Sequence, residues 1–405
     1  MKWLKLAIKN LLRNRRRAFV TVLITAVGVS AILIGGGFAN FTYLSLKEMA
    51  ARSSGHLIVA HPNYFDKEEN TPMEFGLQGY QALAKTLKSD PDVRYAIARI
   101  NFSGLISNGE KSTIFMGAGV DAKYEFKVKG PFLDVGSGSV LSKREREDDP
   151  KIMLGVDLAK SLSAKVNDSL TLMSTTVDGG LNAMDVTVQG IFSTGMPEVD
   201  KRSIIVNINT AQSLLVTDKV SSIALHLRET EATFKKYDQF TAQYPELAWE
   251  TWLDQAFLYK GVKNLYNRIF GLLGFIIVMM VFFSIYNTVN MSVVERTREI
   301  GTLRAIGTYT HEITRNFVLE GMVIGVVGAT IGITFAALAS LGLSLAEIQM
   351  PPPPGQTNGY PLFIAIPANL YLIAAAMSLF ICTLAAWLSS SKAAKKPIVG
   401  ALSHV

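Results

Sequence analysis

The sequence is short of charge: Asp, Glu, Lys and Arg make up 18% of 405 residues, against roughly 25% in an ordinary soluble domain. It has one cysteine, Cys382, so no intrachain disulfide can form and a disulfide-stapled secreted scaffold is excluded. An exported domain without disulfides stays allowed. Residues 47–268 contain no uncharged run of spanning length, which excludes a carrier built of many membrane helices. The phosphate loop G-x-x-x-x-G-K-[ST] is missing, so ATP is not bound through a P-loop. G-x-S-x-G and H-E-x-x-H are missing too. The five histidines, His56, His61, His226, His311 and His404, do not share a helical face with acidic partners at ligand spacing. No metal site is expected from them.

What the chain does have is apolar length. Four runs carry no charge: Ala18–Leu46, Ile269–Val294, Gly321–Ala346 and Ile348–Ser391. About 20 apolar residues cross a bilayer. A purely soluble globular protein and a disordered chain are excluded. The last run is too long for one span. Pro351–Pro354 and Gly355 break it, and helix four is expected to start near Pro367.

The net charge of +7 is a topology signal. Residues 1–17 carry Lys2, Lys5, Lys9, Arg13, Arg15, Arg16 and Arg17 and no acid. Lys392, Lys395 and Lys396 follow the last run, and the remainder of the chain nets −3. The basicity therefore sits beside membrane segments, where it sets orientation and meets anionic lipid, and no nucleic-acid groove is expected. The basic N-terminus is placed in the cytoplasm. The first run is about twice a signal-peptide core of about 7–15 residues, so a retained anchor is expected over a cleaved signal. Arg296, Arg298, Arg304 and Arg315 mark 295–320 as cytoplasmic, and 347–361 has no Lys or Arg, as suits an external loop. Four helices with both ends inside are expected.

In Met1–Arg17, Trp3, Leu4, Ala7, Leu11 and Leu12 fall on one helical face and Lys2, Lys5, Lys9 and Arg13 around the other. This suits a helix lying in the inner interface. A plain basic flank without a helix is the alternative.

The external segment is large enough for its own core. Leu77, Tyr80, Leu83, Ala84 and Leu87 share one helical face, ended by Asp90-Pro91. Strands are expected over 95–107, 112–120, 169–173, 185–192, 203–208 and 221–227. Helices are expected over 155–164, over 209–215 with Asn209 as its cap, over 230–243, and from Trp252 without a break into the second span. The charged stretch Lys143–Asp149 is expected to be a solvated loop. Glu198 and Asp200, beside Lys201 and Arg202, suit a surface turn better than acid–base chemistry.

One stretch stands apart. Val293–Gly307 is V-V-E-R-T-R-E-I-G-T-L-R-A-I-G. Ile300, Leu303 and Ile306 can face one way, and Glu295, Arg296, Arg298, Glu299 and Arg304 the other. An amphipathic helix presenting a charged face to a partner and a solvated loop are equally compatible with that pattern.

The stretch resembles the E-R-x-x-E-I-G-x-L-[RK]-A-[IL]-G signature of the MacB/FtsX/LolC-type (type VII) ABC transporter permeases. Glu295, Arg296, Glu299, Ile300, Gly301, Leu303, Arg304, Ala305, Ile306 and Gly307 match it. Leu6–Arg17 (L-A-I-K-N-L-L-R-N-R-R-R) is similar to the family's opening. Met153–Gly155, Leu158-Ala159 and Val166–Asp168 resemble its "G-x-x-L-A … V-G-D" segment, with Asn167 in place of the usual Gly. Gln189–Asp200, followed by Asn209–Leu215, is most similar to the LolC/LolE lipoprotein-releasing branch. Ala393, Ala394, Pro397, Ala401 and Leu402 resemble the closing motif with altered spacing.

The resemblance implies an integral membrane α-helical protein of four transmembrane helices with a large α+β periplasmic domain inserted between helices 1 and 2. Its parts would be a cytoplasmic interfacial amphipathic helix (1–17), helix 1 (18–46), a MacB-like periplasmic core domain (47–265) and helix 2 (266–294). A cytoplasmic coupling helix (295–312), helix 3 (313–346), a periplasmic loop (347–366), helix 4 (367–391) and a cytoplasmic tail (392–405) would follow. The bacterial inner membrane is the implied location. The chain would be a non-catalytic permease subunit without cofactor of its own, ATP and Mg being bound by a separate dimeric ABC ATPase. Glu295, Arg296, Arg298, Glu299, Ile300, Gly301, Leu303, Arg304 and Gly307 would form the ATPase-coupling segment. Arg296, Arg298, Glu299 and Arg304 would be its polar contacts, Ile300 and Leu303 its apolar ones.

The implied mechanism is mechanotransmission to the periplasmic side, acting on a lipoprotein, lipid or other amphiphile. FtsX-like signalling to a cell-wall hydrolase, export of a drug or peptide with an outer-membrane partner, and an ATPase-free scaffold are the competing readings. A second permease copy or a homologous permease, membrane lipid, and a periplasmic adaptor or lipoprotein complete the implied partners. Gly321, Gly325, Gly328 and Gly332 form two small-xxx-small pairs on helix 3. They suit packing within the subunit or between subunits. Gly35–Gly37 could loosen helix 1 or simply pack.

Overall fold

The computed structural model describes residues 2–13, 15–67, 69, 71–129, 133–142, 149–346, 348–350 and 360–394, with backbone only for 2–6, 258, 349–350, 360–361 and 393–394. The chain divides into two compact units: 1–44 with 262–349 and 361–405, and 45–261 with 350–360.

Two helices open the chain, α1 (Lys2–Arg13) and α2 (Arg15–Ser54). The domain then runs β1 (Leu57–Ala60), α3 (Tyr80–Lys88), β2 (Val93–Ser107), β3 (Ser112–Val120), α4 (Ala122–Lys129), β4 (Asp134–Gly138) and β5 (Lys151–Gly155). It continues with α5 (Val156–Ser161), β6 (Ser169–Thr175), β7 (Leu181–Ser193), α6 (Pro197–Asp200), β8 (Ser203–Asn207), α7 (Ile208–Leu215) and β9 (Ser222–Leu227). A 3₁₀ turn (Thr230–Ala232), α8 (Thr233–Gln243), β10 (Ala248–Thr251) and α9 (Trp252–Gln255) complete it. The membrane unit closes with α10 (Phe257–Glu295), α11 (Thr297–Ala305), α12 (Thr310–Leu345) and α13 (Ala368–Ala394).

In the membrane unit, α2, α10, α12 and α13 are each long and apolar enough to cross a bilayer. In hydrocarbon every backbone polar group must find a partner inside the protein, which a helix provides. Hydroxyls in the spans follow the same rule by bonding back one turn: Thr21 to the Arg17 carbonyl at 3.0 Å, Thr25 to Thr21 at 2.8 Å, Ser30 to Ala26 at 2.7 Å. Some also stitch helices together. Thr21 and Thr288 hydroxyls meet at 2.8 Å between α2 and α10, and Ser30 reaches the Gly332 carbonyl of α12 at 3.0 Å. Val281, Ile285, Val289, Val293, Phe317 and Cys382 fill the core among the helices.

The other unit is built on a ten-stranded mixed sheet in the order β10-β1-β9-β2-β3-β8-β5-β7-β4, with β6 bridging β2 and β7. The long strand β2 organises it, pairing antiparallel with β3, β6 and β9. β3–β8 and β5–β7 are parallel. A central core includes Leu57, Ile100, Ile106, Phe115, Leu158, Leu172, Val188, Ile204 and Leu214. A smaller one gathers Val120, Leu141, Met153, Phe192 and Ile205. At Gly104 the β6 backbone comes so close that a Cβ would lie 2.0 Å from the Met173 carbonyl oxygen, so only glycine fits. Asn167 has φ +73, the left-handed region that Asn tolerates better than most, so the substitution of Asn for Gly costs the turn little.

Several expectations need correction. The first apolar run, Ala18–Leu46, lies within a longer helix, since α2 runs from Arg15 to Ser54. The helix from Trp252 is broken, because α9 ends and Ala256 leaves the helical region (φ −85, ψ 59) before α10 begins. Asn209 is not a cap, since α7 begins at Ile208; Asn207 takes that position, and its amide instead donates to the Ser142 carbonyl at 3.2 Å. The 295–312 segment resolves into the last residue of α10, α11, a turn and the first residues of α12. Gly36 and Gly37 lie mid-helix, where a Cβ would crowd Leu370 and Ile364 at 2.8 and 2.6 Å; they are packing positions. Residues 143–148, Pro351–Pro354, Gly355 and the tail with Lys395 and Lys396 lie outside the described residues, as does the Trp3 side chain.

Candidate functional site

The segment between α10 and α12 is built by three local devices. Arg296 leaves helical geometry (φ −100, ψ 11) and so separates α10 from α11. Thr297 ties the two back together, its hydroxyl donating to the Val293 carbonyl at 3.0 Å. At the far end Gly307 takes φ +98 with nothing near its Cβ position, so glycine is needed for the backbone turn and not for space. The Thr308 N–H closes that turn on the Leu303 carbonyl at 3.0 Å. Glu312 then caps α12 by accepting the Tyr309 N–H at 3.3 Å.

α11 has an inner and an outer face, and they are not the expected ones. Thr297, Ile300 and Gly301 are buried, and Ile300 packs into the core with Val293, Ile313 and Phe317. Leu303, expected beside Ile300, is 42% exposed, and Ile306 is 76% exposed. Arg298 and Glu299 are exposed with them, and Arg304 is half-buried. The outer face therefore mixes apolar and charged groups, while the inner face anchors the helix.

The charged members divide in the same way. Arg296, expected to face outward, is turned inward: its guanidinium lies 3.1 Å from the carboxylate of Glu320, which is buried. Glu299 pairs with Arg13 of α1 at 3.3 Å, and Glu295 with Arg17 of α2 at 2.5 Å. The Arg13–Glu299 pair is open to solvent and worth on the order of 0–1 kcal/mol; the Arg17–Glu295 pair is only partly exposed. Glu320 also accepts the Asn10 amide of α1 at 2.8 Å.

Gly321, Gly325, Gly328 and Gly332 all sit in contacts within this chain. A Cβ on Gly321 would lie 2.6 Å from Ala386 Cβ, and one on Gly325 3.1 Å from Cys382, so this pair seats α13. A Cβ on Gly328 would lie 2.7 Å from Thr25, and one on Gly332 2.6 Å from the Ala26 carbonyl, so the second pair seats α2.

The sheet-containing unit holds a buried ionic cluster that no local sequence pattern signals. Glu125 of α4 is fully buried between Arg99, at 2.9–3.2 Å, and Lys129, at 3.1 Å. Burial alone would raise its pKa, but these two cations hold it at about 2. Arg99 also donates to the Ser53 and Ser54 carbonyls that end α2, at 2.7 and 2.9 Å. Beside it His56 and His226 stack edge to face at 6.0 Å. Burial lowers His56 to about 4; burial, with Arg99 nearby, lowers His226 to about 3. His56 accepts the Leu227 N–H at 3.2 Å and meets the Thr230 hydroxyl at 3.0 Å. Among the described residues no group of three His, Cys, Asp or Glu side chains could hold a metal. Asp200 is buried and accepts from Ser193 and Thr194 at 2.7–2.9 Å, while Glu198 is exposed on Lys201. The pair builds a turn.

Four apolar helices, with a large α+β domain between the first two and a short anchored helix after the second, define a multi-pass membrane protein. The FtsX-like permease C-terminal family matches residues 271–398, and the MacB-like periplasmic core domain family matches 18–242, more than half of the chain. Among similar proteins, the lipoprotein-releasing system transmembrane protein LolC of Xylella fastidiosa is 25% identical over 81% of this chain and 79% of its own. LolE of Haemophilus influenzae is 23% identical over 79% and 76%. The macrolide export ATP-binding/permease protein MacB of Salmonella paratyphi A is 23% identical over 100% of this chain and 60% of its own. The chain belongs to the MacB/FtsX-type (type VII) family of ABC transporter permeases, near LolC and LolE. It is a multi-pass inner-membrane protein with a periplasmic domain.

Proposed function

We propose that this permease couples ATP hydrolysis by a separate ATPase subunit to periplasmic work on a lipoprotein, lipid or other amphiphile. The observation that carries the reading is the two-faced helix α11. Its inner face, Thr297, Ile300 and Gly301, is fixed in the membrane unit, and its outer face leaves Arg298, Leu303 and Ile306 exposed. A helix so anchored passes on a push received at its outer face, and exposed apolar groups rimmed by charge suit a protein partner. Arg298, Leu303, Arg304 and Ile306 are the contacts of this reading. Arg296 and Ile300 hold α11 in place, and Gly307 sets its turn. ATP and Mg belong to the partner, and both termini to the cytoplasmic side with it.

Mechanotransmission is supported by α2 and α10, which run 40 and 39 residues. Both exceed the about 20 residues needed to cross a bilayer. A second permease, the same chain or a homologue, is supported by α10, whose most apolar window is only 11% buried within this chain. The lipoprotein or lipid substrate rests on the names of the LolC and LolE relatives.

The test is affinity purification of the full chain from native membranes in mild detergent, with mass spectrometry of what accompanies it. Leu303→Asp and Arg304→Glu are run beside the parent. An ATPase bound to the parent and lost from the variants is expected; a lipoprotein or lipid retained by both would identify the substrate. No ATPase on a folded parent would overturn the reading, and a bound cell-wall hydrolase would replace transport by signalling.

A further inference from the structure

Glu320 has no part in the proposed outer contact, yet it is a carboxylate buried near the start of the apolar stretch of α12. A charge in such a place is retained when its partners are fixed around it. One oxygen, Oε1, accepts the Asn10 Nδ2 amide of α1 at 2.8 Å and an Arg296 Nη1 N–H at 3.1 Å. Asn10 belongs to α1, and Arg296 is the non-helical residue between α10 and α11. Three elements therefore converge on a single carboxylate. The pairs Arg13–Glu299 and Arg17–Glu295 run alongside it from α1 and α2 to the same segment. The Arg13–Glu299 pair is exposed, where screening weakens it, and the Arg17–Glu295 pair is partly exposed, whereas the Glu320 pair is shielded.

We propose that Glu320 is a positioning residue that pins α1 and the Arg296 joint to α12, so that the N-terminal helix and α11 move as one unit. This rests on the reading of α11 as the coupling helix. A free joint at Arg296 would absorb a push on α11 by swinging. With its guanidinium held, the push passes into α12 and carries α1 with it. The N-terminal helix is then part of the coupling device as well as a basic flank.

The test is hydrogen exchange of the full chain, with whatever ATPase copurifies, comparing the parent with Asn10→Ala, Glu320→Ala, Arg296→Met and the Glu320→Ala/Arg296→Met pair. In Glu320→Ala, exchange over 2–13 and 297–305 should rise together by about tenfold, because each segment loses one hydrogen bond to a charged group. The α12 and α13 interiors should not change, which separates a pin from general loosening. Arg296→Met should loosen 297–305, Asn10→Ala should loosen 2–13, and the double variant should exceed neither single effect by more than twofold. Unchanged exchange in both segments, additive effects, or equal loosening of α12 and α13 would each overturn the pin. If Glu320→Ala does not fold, Arg296→Met and Asn10→Ala decide by the same criterion. Absence of any copurifying ATPase would remove the coupling reading and leave the exchange result to judge the pin.

Discussion

Replacing Glu125 by Gln keeps the shape of the side chain and removes its charge. The side chain is fully buried, and it neutralises Arg99 and Lys129, which are themselves 12% and 20% exposed. The substitution leaves two cations facing a neutral amide. Arg99 cannot swing away freely, because it also holds the Ser53 and Ser54 carbonyls. Removing one partner of a buried ion pair costs about 3–5 kcal/mol. For a domain of this size each kcal/mol moves Tm by about 2–4 °C, so a fall of about 6–20 °C is expected. Tryptophan fluorescence can follow it. With Trp3→Phe and Trp387→Phe in the background, only Trp249 and Trp252 remain, both buried in the domain. Adding Lys129→Met should recover part of the loss. A fall of under 2 °C would refute the reasoning, and would mean that water reaches the cluster.

Acid should destabilise the domain through the two histidines. Both have folded pKa values below the ordinary 6.5, so the unfolded chain binds more protons. Their contribution is complete above pH 6.5 and is lost as pH falls toward 4 for His56 and 3 for His226. Between pH 7.5 and 5 each should cost about 2 kcal/mol. Denaturant melts across that range would show it, and His226→Leu should halve the slope. In the membrane unit, Gly332→Ala would put a methyl 2.6 Å from the Ala26 carbonyl, costing about 1–3 kcal/mol in detergent melts. Gly274→Ala, with open space at its Cβ, should be neutral in the same assay. Gly307→Ala should cost about 1–2 kcal/mol from its positive φ alone, seen as faster exchange at the end of α11.

The membrane architecture was legible because bilayer thickness writes itself into the sequence as uncharged length. The same signal does not mark the end of α2 at Ser54, since hydropathy reports the apolar slab and not where the helix stops. The break at Ala256 carries no Pro or Gly. The capping pair Thr251 and Asp254, joined at 2.7 Å, marks the start of α9 and says nothing of where it stops. β1 and β5 carry no local signal, because four- and five-residue buried runs have no period to detect. At the candidate site the residue types were legible and their directions were not. Ile300, Leu303 and Ile306 form a plausible stripe in isolation. Which of them turns inward depends on Phe317 and Ile313, and Arg296 turns inward because Glu320, 24 residues on, waits for it. The Glu125 cluster joins α2, β2 and α4 through tertiary contacts that no local pattern announces.

The central claim is that the outer face of α11 receives an ATPase. A single cysteine placed by Leu303→Cys, in a Cys382→Ser background, can be reacted with a short bifunctional crosslinker in native membranes, with Phe234→Cys on the periplasmic domain as control. The account predicts an adduct with a nucleotide-binding subunit from position 303, with a yield that changes when ATP is added, and none from position 234. An unreacted chain at 303 under conditions that keep it folded, or equal adducts from both positions, would contradict it.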